Sequence, residues 1–172
     1  MLAVSEVHAA TPSFSAEKIK AAYTFQFTRF TTWPSKISSV DNPFTICMLG
    51  NESIAKELES LNQYKTGGRS IRVIYPKNVL NTEGCKILYI AETESKKLKN
   101  IIHVLHNKPV LTVSSIPNFA SQGGIIGLIL YKNKIHLEIN LVSAQRADIK
   151  FSAKLLEIAS VIKDVSNKEE QP

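Results

Sequence analysis

His103 and His106 stand three residues apart in a segment with helical periodicity, so both could face one metal ion. Zinc sites need three or four ligands, and no carboxylate or thiol is spaced to complete this pair. His136 and Glu138 alternate along a strand and share a face. That arrangement is open to acid–base work, and it is equally the polar side of a solvated hairpin. Cys47 and Cys85 lie at apolar segments, FTICML and CKILYI, and strand interiors seldom expose a nucleophilic thiolate. The turn Gly50-Asn51-Glu52-Ser53 links a strand to a helix, where a phosphate could rest on the helix N-terminus. One glycine falls well short of GxGxxG or a P-loop, and no GxSxG, HExxH or EF-hand pattern occurs. The residues therefore predict a non-enzyme that needs neither metal nor other cofactor.

The elements that hold these residues alternate between helix and strand. Ser13 or Ser15 caps a helix running to Phe30, with Ile19, Tyr23, Phe27 and Phe30 on one apolar stripe. Trp33-Pro34 stops it. Strands are expected at Phe44 to Leu49, Ser70 to Tyr75, Lys86 to Ile90 and Val110 to Val113. Helices from Ile54 to Leu61 and from a cap near Thr93 or Ser95 lie between them. Ile125 to Tyr131 and Lys134 to Asn140 are joined by Lys132-Asn133, a connection short enough to demand an antiparallel hairpin. A final helix is expected over Ser152 to Ile162. The fold class that follows is a single-domain α/β sandwich. Its central sheet is mostly parallel with a C-terminal antiparallel hairpin, and helices flank it.

The chain has 172 residues, 44% hydrophobic and 21% charged, which suits one globular domain and excludes disorder, collagen and coiled coil. No apolar run approaches the ~18 residues of a membrane-spanning helix, so no direct membrane insertion is expected. The net charge of +6 would favour anionic surfaces, yet the basic residues are scattered and no recognition motif accompanies them. Nucleic acid is therefore not an expected partner. Residues 1–12, with small residues before Ala10, read as a residual signal peptide or a disordered tail. The folded domain is expected over 13–163, and 164–172 as a disordered polar tail. In a reducing compartment Cys47 and Cys85 would be two buried thiols; in an exported protein they would form a bridge.

Several segments together resemble the YfiR/HmsC family of periplasmic repressors of membrane-bound diguanylate cyclases. They are KAAYTFQFTRFTTWP, FTICMLG, TGGRSIRV, CKILYI, KPVLTVSSIPNFASQGGIIGLIL and LEINLVSAQRADIKFSAKLLEIA, in family order from Lys20 to about Ile162. The resemblance implies a periplasmic α/β domain that binds the periplasmic part of an inner-membrane diguanylate cyclase and holds it inactive. Cyclic di-GMP and biofilm formation would fall as a result. It also implies a Cys47–Cys85 disulfide and a homodimer. Some relatives carry a second cysteine pair, at positions matching Ala120 and Gly127 here; this chain lacks it.

Repression requires a surface that discriminates between two states of the cyclase. The expected surface is the polar face of the last hairpin with the start of the final helix, namely Glu138, Asn140, Ala144 and Phe151. Glu138 would supply a charged hydrogen-bonding group, and Ala144 and Phe151 an apolar contact. The competing reading is that this segment only anchors the last helix. A second function is also open, a small-ligand receptor in which Tyr23, Phe27 and Trp33 line an aromatic pocket.

Overall fold

A computed structural model describes residues 15–34 and 42–162. The tails expected at 1–12 and 164–172 lie outside the described residues. Ser15 caps helix α1 (Ala16–Phe30), accepting a hydrogen bond from the Lys18 amide. The residues of α1 that face the interior are Lys20, Ala21, Thr24, Phe27 and Thr28. Of the expected stripe only Phe27 is fully buried, while Ile19, Tyr23 and Phe30 stay half-exposed. Polar burial is tolerated here because the hydroxyls are satisfied within the helix. Thr24 donates to the Lys20 carbonyl (2.9 Å) and Thr28 to the Phe25 carbonyl (2.7 Å).

The strands are β1 (Thr31–Thr32), β2 (Phe44–Leu49), β3 (Lys65–Thr66), β4 (Arg69–Ile74) and β5 (Ile87–Ile90). They continue as β6 (Leu111–Ser114), β7 (Ile126–Tyr131), β8 (Lys134–Asn140), β9 (Lys150–Phe151) and β10 (Ala159–Ile162). The main sheet is eight-stranded, in the order β10-β8-β7-β6-β5-β2-β4-β3. Its centre, β4-β2-β5-β6-β7, is wholly parallel. β8 runs antiparallel to β7, with Lys132 and Asn133 both at positive φ in the tight turn between them. The expected mixed sheet with a C-terminal hairpin is what the chain forms.

Alternation along the parallel strands sends side chains to two cores. Ile46, Met48, Ile87, Tyr89, Leu111 and Val113 pack with Phe27 of α1 and with Ile54 and Leu58 at α2 (Ala55–Glu59). Cys47, Leu49, Leu88 and Ile90 face the other way, against Leu98, Ile101 and Leu105 of α3 (Leu98–Leu105). Burial on both faces explains why these strands read as continuous apolar runs. Thr93 does not cap α3. Its hydroxyl accepts from the Asn51 amide at 3.2 Å, and a 3-10 turn over Glu92–Lys97 leads into the helix.

The C-terminal third departs most from expectation. An unforeseen helix, α4 (Leu141–Arg146), follows β8 directly. The expected final helix is cut to α5 (Ala153–Glu157), capped by Ser152, and Ala159–Ile162 pair in parallel with Leu137–Asn140. Ile158, inside the expected helix, is 62% exposed at the junction. β9 turns back to pair with β1, so Thr31 lies opposite Phe151. Among the described residues no helix is long and apolar enough to cross a membrane.

Candidate functional site

Asn140 stands where β8 becomes α4. It is buried, its Oδ1 accepts from the Ser143 amide (2.9 Å), and its Nδ2 donates to the Ala120 carbonyl (2.8 Å). Both ends of the amide are thus committed, which corrects the expectation of Asn140 on a solvated strand face. The sequence signal was the Asn-x-x-Ser spacing of a helix cap, read instead as the end of a strand. Glu138, two residues earlier, is half-buried, and its carboxylate makes no hydrogen bond or ion pair among the described residues.

α4 closes with Asp148 at φ 55°, which lets the Ile149 amide reach back to the Ala144 carbonyl (2.9 Å). The chain then enters β9, and the Ser152 amide bonds to the Phe30 carbonyl at 2.9 Å. Between α4 and β9 lies a groove of about 320 Å³ lined by Leu141, Ala144, Gln145, Asp148, Ile149, Lys150 and Phe151. The structure therefore brings Ala144 and Phe151 together. Ala144 is only 1% exposed, so it forms the floor of the groove and not a projecting contact. Leu141, Ile149 and Lys150 were not foreseen as part of this surface, because α4 itself was not.

Cys47 and Cys85 form a disulfide between β2 and the approach to β5, with Cα atoms 5.8 Å apart. The aromatic trio is occupied with packing. Phe27 has no exposed surface and fills the core, with Tyr23 stacked on it at 6.3 Å. Trp33 packs edge-on against Phe44 and donates its indole N–H to the Lys86 carbonyl at 3.0 Å. Burial lowers the Lys86 ammonium from the usual lysine range, helped by the nearby Arg69 charge.

The parallel strand order reverses between β2 and β5, where open α/β sheets commonly leave a ligand crevice. Here the crevice is filled from within. Glu52 accepts from the Tyr89 hydroxyl (3.4 Å) and the Glu92 amide (3.1 Å), and lies 3.7 Å from the Lys20 ammonium. Tyr89 also meets the Ser115 hydroxyl at 3.0 Å, and burial pushes its phenol well above the ordinary tyrosine range. A carboxylate in the turn after Gly50 is the wrong charge for a phosphate, so nothing here favours nucleotide binding.

This architecture has solved counterparts. A conserved domain protein from Vibrio cholerae O1 biovar El Tor superposes with a TM-score of 0.61 at 11% identity, covering 84% of this chain and 60% of that one. The ABC domain from Streptococcus pneumoniae, solved in complex with L-Trp, gives 0.51 at 12% identity, covering 69% and 55%. Both are likenesses of fold, and this chain spans about 60% of the first protein's length. No curated protein matches the chain. The YfiR/HmsC-like family model matches residues 17–160, from the first turn of α1 into β10. The chain belongs to the YfiR/HmsC-like family.

Proposed function

We propose that this protein is a periplasmic regulator, not a catalyst. It binds the periplasmic sensor part of an inner-membrane diguanylate cyclase, holds it inactive and so lowers cyclic di-GMP and biofilm formation. The observation that carries this reading is the family match over residues 17–160. The Cys47–Cys85 disulfide fits an oxidising compartment. The proposed contact surface is the α4–β9 groove, where an apolar side chain of the cyclase would enter over Ala144 against Phe151. Glu138, whose carboxylate has no partner among the described residues, would supply a charged contact, and the working form would be a homodimer.

Cytoplasmic cyclic di-GMP, measured with and without the gene while the cyclase is present, tests the reading. A rise on deletion, reversed only by an exported copy, is expected. Ala144→Arg would fill the groove, and Glu138→Lys would reverse a charge. If both variants fold and still repress, this surface is not the contact.

A further inference from the structure

A second cavity lies on the other side of α4. After α3 the chain turns through Asn107 at φ 62°, and the Lys108 amide bonds to the Leu105 carbonyl at 2.9 Å. The turn and α4 border a half-open space of about 60 Å³. His106, Lys108 and Arg146 stand around it, and no carboxylate lines it. The Arg146 guanidinium has no ion pair or hydrogen bond among the described residues. The floor is apolar, made by Ile102, Leu105 and Ile125.

The wall carries a buried donor. Thr112 is 3% exposed, and its hydroxyl oxygen accepts from the Ile125 amide at 2.9 Å. Its own proton remains to be given to something else. Size then selects the ligand class. A water needs roughly 10–15 Å³ on this measure, so the space holds a few atoms and not a nucleotide. Drug-sized ligands fill pockets of roughly 300–1,000 Å³. Unpaired cations, a buried hydroxyl donor and a small volume suit a compact anion with several acceptor oxygens.

We propose that this cavity binds a small oxyanion, a phosphate or the carboxylate of a short organic acid. Arg146 is its anchoring fork, Lys108 supplies further positive charge, His106 offers a ring N–H, and Thr112 donates from the wall. α4 lines this cavity through Ser143 and Arg146 and the partner groove through Leu141 and Ala144. Occupancy would thus be transmitted to the groove. That coupling rests on the function proposed above, whereas the site does not.

The test is thermal unfolding of the intact protein in inorganic phosphate or sodium propanoate, against sodium chloride at matched ionic strength. It needs no partner, so its result is independent of the regulatory reading. A saturable rise in Tm of roughly 3 °C with at least one of the two anions is expected. A rise with phosphate alone assigns the site to phosphoryl groups, and one with propanoate alone to carboxylates. Arg146→Gln should abolish the rise and Lys108→Gln should reduce it. Arg72→Gln, at an exposed position on β4, should leave it intact. No rise beyond chloride, or the same rise in Arg146→Gln, overturns the proposal. The anion-free Tm of each variant separates a lost site from a lost fold.

Discussion

Gly127 stands directly opposite Glu138 across the β7–β8 pair, and a β-carbon added at 127 would lie 3.4 Å from Glu138 Oε2. That is ordinary van der Waals contact, so the pairing accepts a methyl group. Gly124 differs, because a β-carbon there would run into the Phe119 ring. Gly127→Ala should leave stability unchanged or raise it by about 0.5 kcal/mol, as a strand gains from losing a glycine. Gly124→Ala should cost about 2 kcal/mol or more through overpacking. Urea unfolding of the two variants side by side checks the contrast.

Asn140 predicts a stability phenotype distinct from any binding phenotype. Asn140→Ala removes the cap on α4 and leaves the Ala120 carbonyl without its donor. The expected loss is about 2 kcal/mol. Asn140→Asp keeps the cap acceptor but sets an oxygen against the Ala120 carbonyl, and should also destabilise. If equilibrium unfolding shows Asn140→Ala to be neutral, the amide is free for a partner after all.

The disulfide joins positions separated by 38 residues, and in the chain-entropy model such a closure contributes about 4 kcal/mol. The double variant Cys47→Ala/Cys85→Ala should lose stability on that order, and so should the wild type under reductant. Paired denaturation curves with and without dithiothreitol measure it. A reductant-insensitive midpoint would show that the bridge does not form.

Glu17 ties α1 to the turn after β2, accepting a hydrogen bond from the Ser53 hydroxyl at 3.1 Å. Its own backbone N–H foremost, and then Ser53, hold its carboxyl below the ordinary glutamate range. A carboxyl that ionises more readily when folded stabilises the protein above the unfolded value of ~4.3. That contribution is lost as pH falls through the folded value. Glu17→Gln should therefore be less stable than wild type at neutral pH, with the gap closing below about pH 4. Urea midpoints at pH 7 and pH 3 test the sign.

Much of the fold was legible from residue pattern. β2, β5 and β6 are buried on both faces and announce themselves as apolar runs, and Lys132-Asn133 marks its hairpin. The misreadings share a cause, which is that tertiary pairing chose between local options. Leu155, Leu156, Ile158 and Ile162 fit a helical stripe, yet β8 offered an open edge and drew Ala159–Ile162 into the sheet. α4, at six residues, is too short to show a period, so the groove it builds with β9 was invisible. The residue types of Ala144 and Phe151 are legible, but the helix and strand that bring them together are not. The helical stripe shows Phe27 but not its neighbours, and the core around Ile46 and Leu58 claims its whole surface, leaving none for a pocket.

The Cys47–Cys85 bridge sits at the neck of an excursion, residues 50–84, that carries α2 over the sheet and lays β4 and β3 along its edge before returning. β4 is held in the sheet by β2 on one side and by the short β3 on the other. The excursion can therefore open as a unit without separating β2 from β5 or breaking the bridge. Amide hydrogen exchange would divide the molecule accordingly, with β4 exchanging through local opening and β2, β5 and β6 only through global unfolding. The bridge makes each such opening a tethered event from which the edge returns to a template already in place.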